Sequence, residues 1–168
     1  MDQNFTLMKQ FQEALQVGDL SSVKKISSNE QYARLTVDVV SIDEAPVKVN
    51  PPSWSQAHYE WGLTCLVAIA AATPSEYSAF AIRNLHKNGA DINHSGPEKI
   101  RPIHIAARQN NPQALSTLLR LGADFEARTE TGKTPIHFCS WVGAKAGNAE
   151  GLDILILAGA DVNSRTKG

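Results

Sequence analysis

Two residues near the end of the chain have the types and spacing for chemistry. In GKTPIHFCSW, residues 132–141, His137 stands two positions before Cys139. A thiol and an imidazole can act as nucleophile and general base, and the same atom types ligate zinc. Either role needs partners: a base within hydrogen-bond reach of the thiol, or further ligands around a metal. The five histidines, at 58, 86, 94, 104 and 137, include no i, i+4 pair, and neither cysteine belongs to a CxxC. The phosphate-loop pattern G-x-x-x-x-G-K-[ST] and the nucleophile pattern G-x-S-x-G are both missing. A thiol or metal enzyme built on His137 and Cys139 is one hypothesis; a structural role is the other.

The stretch recurs, and recurrence favours structure. RPIHIAARQNN begins at Arg101 and TPIHFCSWVG at Thr134, so Pro102 and Pro135 lie 33 residues apart. TCLVAIAAAT begins at Thr64, 37 residues before Arg101. A second tag follows each stretch: NGADIN at 88–93, LGADFE at 121–126 and AGADVN at 158–163. Its glycines, Gly89, Gly122 and Gly159, are spaced by 33 and then 37. The period is therefore 33, with four extra residues in the first and third units, around Thr73–Ser78 and Ala144–Glu150.

Each tag has a local physical reading. Thr134 suits a helix N-cap, its hydroxyl accepting from a free backbone N–H. Pro135 suits the first helical position, where its missing N–H has no intrahelical partner to lose. The three glycines follow apolar helical runs and suit the left-handed position that ends a helix. Ala114, Leu115, Leu118 and Leu119 are spaced for one apolar stripe, as are Leu152, Leu155 and Ile156. The same run in the first unit, Ile82 and Leu85, is more polar because Asn84 and His86 lie beside it. Each unit is predicted to run helix, turn, helix, glycine stop and polar connector.

These residues resemble the ankyrin repeat, whose pattern is roughly G-x-T-P-L-H-x-A-A, two helices, then G-A-D-V-N. The third unit matches at Gly132, Thr134, Pro135, Ile136 and His137, then at Gly159 to Asn163. The second matches at Pro102, Ile103, His104, Ala106 and Ala107, then at Gly122 to Asp124. It departs at Lys99, Arg101 and Glu126, where the pattern prefers Gly, Thr and Asn. The first keeps Gly62, Thr64, Leu66 and Ala70, with Cys65 for Pro and Val67 for His. The resemblance implies an all-α ankyrin-repeat solenoid of stacked helix-turn-helix units with β-turn or hairpin fingers. In such a fold His104 and His137 bond within their turns, Cys139 is a small core residue, and Asn93 and Asn163 tie neighbouring fingers together.

The expected layout is one ankyrin-repeat domain over 1–168, with units at 61–93, 94–126 and 127–163. Residues 7–26 read as a degenerate capping unit, because Ala14, Gly18, Asp19, Leu20, Val23 and Ile26 fit its helix pair and a stack needs covered ends. Residues 27–60 are an irregular insertion: LTVDVVSID and VKVN have strand-like content, so an extended finger and a disordered linker are both open. Residues 164–168 start a further finger or a tail.

The bulk properties narrow the function. Net charge is −1, which gives no global field for nucleic acid or an anionic membrane. The N-terminus has no signal-peptide pattern, no apolar stretch is long enough to span a bilayer, and RTKG carries no lipid-anchor motif. Two cysteines make no disulfide framework, so a cytoplasmic setting is expected, or a host cytoplasm for a secreted microbial effector. No cofactor, metal, nucleic-acid, membrane or small-molecule partner is expected. The resemblance implies a non-catalytic module that binds another protein. The preferred version is a regulatory or inhibitory binder of one protein, extending to a microbial effector or immunity-type protein. The alternative is the targeting region of a larger enzyme or multidomain protein truncated after Gly168. Binding falls to positions that the repeat does not need for its own fold: Trp61, Ile100, Arg108, Gln109, Arg128, Glu130, Lys133 and Trp141. Trp61, Arg108 and Trp141 form the expected ridge, since exposed Trp and Arg are favoured interface anchors.

Overall fold

The structure, a computed structural model, describes residues 3–35, 65–139 and 150–167. Regular structure among them is helical. In chain order the helices are α1 (Gln3–Val17), α2 (Leu20–Ser27), α3 (Glu30–Ala33), α4 (Leu66–Ala72), α5 (Ser78–Lys87), α6 (Pro102–Arg108), α7 (Pro112–Arg120), α8 (135–139) and α9 (Glu150–Leu157). Helices α4 and α5 pair, as do α6 and α7. The pairs stack in layers, with α4 on α6, α5 on α7 and α7 on α9. Helices α1 and α2 pair in the same way and lie against α4 and α5.

Position in the stack explains composition. Helices α4 and α6 have neighbours on several sides, and Leu66–Ala71 and Ile103–Ala107 are buried throughout. Their alanines, Ala68, Ala70, Ala71, Ala106 and Ala107, let adjacent helix axes approach to roughly 8–10 Å. Helices α5 and α7 bury one stripe each: Ala81, Ile82 and Leu85, then Ala114, Leu115 and Leu118 one period later. In α1, Met8, Phe11 and Leu15 supply the equivalent stripe at helical spacing.

The glycine stops form as expected. After α7, Gly122 has φ 91°, the Ala123 N–H donates to the Leu118 carbonyl at 2.9 Å, and the Gly122 N–H donates to the Leu119 carbonyl at 3.1 Å. This pair of bonds satisfies carbonyls that a helix end leaves open. The same closure ends α6 without a glycine: Asn110 takes φ 49°, and the Asn111 N–H reaches the Ala106 carbonyl at 3.0 Å. Asparagine tolerates this region better than most residues.

The Thr134 start differs from expectation. Its hydroxyl lies 3.0 Å from His137 Nδ1, and its N–H donates to the same nitrogen at 3.1 Å. The hydroxyl thus serves the imidazole, and the imidazole accepts from the backbone. A side-chain cap instead starts α7, where Asn111 Oδ1 accepts from the Ala114 N–H at 3.1 Å.

Helix α3 lies where only irregular chain was expected, within 27–60; Asn29 caps it by accepting from the Tyr32 N–H at 3.2 Å. The strand-like segments of that insertion fall outside the described residues. Arg34, just past α3, lies over Gly89, where an added Cβ would come within 2.6 Å of its Nε. Among the described residues no helix is long and apolar enough to cross a membrane.

Candidate protein-binding surface

His104, His137 and both cysteines are engaged in the fold. His104 is fully buried; its Nδ1 accepts from the Arg101 N–H at 3.1 Å, and its Nε2 donates to the Ala127 carbonyl at 2.9 Å. That arrangement requires the neutral ring, and burial holds its pKa down at about 4. His104 therefore joins its own turn to the base of the next finger. Cys139 Sγ lies 3.8 Å from the Ala107 carbonyl, and burial pushes its thiol up to about 11. Positions i and i+2 of a helix face different directions, and His137 and Cys139 each bond elsewhere. A thiolate nucleophile with its base is not what this geometry holds. Cys65 is also buried and pushed up to about 11.

Polar side chains clasp one layer to the next. Asn93 Oδ1 accepts from the Asp124 N–H at 3.0 Å while its Nδ2 donates to the Gly122 carbonyl at 3.3 Å. One unit later Glu126 holds the same place and accepts from the Asp161 N–H at 2.7 Å. A carboxylate cannot donate, so the second half of the clasp is lost there. Asn84, which makes the first unit's outer helix polar, donates to Ser27 and Ser28 Oγ at 3.0 and 2.8 Å. That polarity is cross-layer bonding to α2.

The fingers lie edge to edge. The Glu130 N–H donates to the Glu98 carbonyl at 2.9 Å, and the Lys167 N–H donates to the Thr131 carbonyl at 3.0 Å. Within the middle finger the Thr129 N–H donates to the Lys133 carbonyl at 3.0 Å, closing a hairpin turn around Gly132.

The expected surface residues are distributed unevenly over this frame. Glu130 and Lys133 are exposed on one finger. Arg128 is exposed too, but its Nη1 donates to the carbonyls of Gly132 and Arg165 at 3.2 and 3.0 Å, so it braces two fingers. Ile100 is 6 % exposed and belongs to the core. It was expected on the surface, but the left-handed turn at Glu98 and Lys99, φ 54° and 58°, reverses the chain and returns Ile100 to the stack. Arg108 and Gln109 are half-buried at the C-terminal end of α6. Seven residues of helix, about 10 Å, separate them from the fingers. Trp61 and Trp141 lie outside the described residues. Sequence reasoning left Lys99, Arg165 and Lys167 off the surface, although all three are exposed. Lys99 in a glycine position was the available signal.

A stack of two-helix layers with hydrogen-bonded fingers defines a repeat protein of the ankyrin type. The family model for ankyrin repeats, in three copies, matches residues 56–166. The chain belongs to the ankyrin-repeat family, whose repeats mediate protein–protein interaction and are generally non-enzymatic. It is similar to human ankyrin repeat and SOCS box protein 16, at 28% identity over 155 residues, 90% of this chain and 31% of that protein. It is also similar to the target of rapamycin complex 2 subunit AVO2 of Saccharomyces cerevisiae, at 36% over 46% of this chain and 18% of that protein. A third relative is the NF-kappa-B inhibitor alpha of Gallus gallus, at 26% over 68% of this chain and 37% of that protein. The chain spans less than half the length of each.

Proposed function

We propose that this chain is a non-catalytic module that binds one specific protein and regulates or inhibits it, in a cytoplasmic setting. The observation that carries the reading is the division of labour among side chains. Residues at repeat-defining positions, such as His104 and Asn93, are bonded within and between layers. Glu130 and Lys133, at positions the repeat leaves open, are exposed on the fingers. The resemblance to an NF-kappa-B inhibitor fits an inhibitory binder. A role as a microbial effector or immunity-type protein is a narrower form of the same proposal. The proposed surface comprises Arg108, Gln109, Arg128, Glu130 and Lys133, together with Trp61 and Trp141.

The test is quantitative capture from source-cell lysate by the immobilised chain, beside Arg108→Glu and Trp141→Ala variants of verified fold. A protein enriched by the wild type and lost from the variants supports this surface. An unchanged set of captured proteins removes the ridge of Arg108 and Trp141.

A second reading makes the module the targeting region of a larger protein. Val162 is 61% exposed, whereas Ile92, at the same repeat position, is 5% exposed beneath the following layer. A further layer stacked on α9 would cover it.

A further inference from the structure

We propose that the finger edge recognises an extended acidic segment of the partner protein, with Lys99 as a selectivity contact; this rests on the binding-module reading above. The fingers are a charged patch in a nearly neutral chain. At the finger tips, residues 94–100, 127–134 and 164–167, Lys99, Lys133, Arg165 and Lys167 are exposed and only Glu98 and Glu130 oppose them, while the acids at the finger bases, Asp91, Asp124, Glu126 and Asp161, accept backbone N–H bonds there. The whole chain carries 16 basic and 17 acidic residues, so the finger edge departs from the average in sign. Ion pairs at Lys9–Glu13, Arg34–Glu30 and Arg101–Asp124 involve none of these four cations. The backbone beneath is organised by the inter-finger bonds and the Arg128 brace, so the cations stand on a fixed frame.

Lys99 supplies an independent observation. It follows Glu98 in the left-handed region, at φ 58° after φ 54°, and the position one period later is Gly132 at φ 77°. Glycine takes that conformation without strain, and lysine does not. Strain held at an exposed position points to a use for the side chain.

Spacing selects the form of ligand. Arg128 and Arg165 occupy the same place in successive units, so basic groups recur at the layer spacing of roughly 8–10 Å. An extended chain rises about 3.3 Å per residue, so a carboxylate at every third residue keeps step with the fingers. A nucleic-acid strand carries a charge on every nucleotide and, unlike a peptide, cannot place neutral residues opposite Glu98 and Glu130.

The test is fluorescence anisotropy with the full chain and a labelled peptide repeating Glu-Ser-Gly. The controls are the same peptide with Gln for Glu, and a labelled oligothymidylate. The Glu peptide is expected to bind at low ionic strength at least about tenfold more tightly than the Gln control, and more weakly as salt rises. Lys133→Glu with Lys167→Glu is expected to weaken it about tenfold or more. Lys99→Gly is expected to weaken it about threefold while raising the melting temperature by about 2–8 °C, so its loss of binding cannot be misfolding. Equal binding of the Glu and Gln peptides, or oligothymidylate binding as tight as the Glu peptide, overturns the proposal. A Lys99→Gly chain that is more stable and binds unchanged removes Lys99 from it. If the double variant still captures the same lysate partner, the acidic-segment inference fails and the binding-module reading stands.

Discussion

Asn111 joins two layers with one side chain, and its replacement should show what that junction contributes. It is 1% exposed. Its Oδ1 caps α7 through the Ala114 N–H at 3.1 Å, and its Nδ2 donates to the Ala71 carbonyl, at the end of α4, at 3.2 Å. Asn111→Ala removes both bonds. Loss of an N-cap costs about 1 kcal/mol. A buried carbonyl left without its donor costs a further 1–3 kcal/mol, roughly. The expected loss is therefore about 2–4 kcal/mol, a large share of the roughly 5–15 kcal/mol that holds an ordinary domain together. Asn111→Asp separates the two contributions. Aspartate keeps the acceptor that caps α7, and on a surface helix it would serve as well as asparagine. Here it turns a carboxylate oxygen toward the Ala71 carbonyl in a buried site, so at neutral pH it should be at least as damaging as alanine. Burial raises the aspartate's folded pKa above its unfolded value. Its penalty should then shrink as pH falls and the carboxyl gains a proton to donate. Urea unfolding followed by circular dichroism at 222 nm measures all three chains, with a constant m-value showing that the same surface is exposed. An Asn111→Asp chain as stable as wild type at pH 7 would refute the cross-layer bond. An alanine variant losing under about 0.5 kcal/mol would refute the whole estimate.

Two further outcomes are expected. The folded pKa of His104, about 4, lies below its ordinary value of 6.5, so between these values the unfolded chain binds the extra proton. The stability it contributes is complete above pH 6.5 and falls as pH drops toward 4, by up to about 3 kcal/mol. The stability difference between wild type and His104→Leu should shrink across that window; a difference that stays flat speaks against the buried neutral ring. Glu126→Asn restores a donor opposite the Gly159 carbonyl and should stabilise the chain by about 0.5–1 kcal/mol. Thermal unfolding checks it, and a lower melting temperature would mean that the third layer stands too far from Glu126 for the shorter side chain.

The surface was less legible than the frame. Glu130 and Lys133 were recognisable because the repeat pattern leaves their positions open and hairpin tips project. Ile100 looked equally open, but its exposure depends on the path of the turn at Glu98 and Lys99. Arg128 was legible as an exposed residue, but its second role as a brace was not, because its target, the Arg165 carbonyl, lies 37 residues away in the next finger. Cys139 was placed in the core on pattern alone, and its burial against Ala107 agrees.

The sequence by itself determined the period, the proline helix starts, the glycine stops and the apolar stripes. These are backbone and steric demands that act within a few residues, so each leaves a local mark such as Gly122 or Pro102. Only the tertiary structure decided which polar atoms meet across layers: Asn111 with Ala71, Asn84 with Ser27 and Ser28, and Glu126 with Asp161. Those bonds form between residues 35 to 57 positions apart. Their existence depends on how closely two helix layers pack, a distance set by every side chain between them at once.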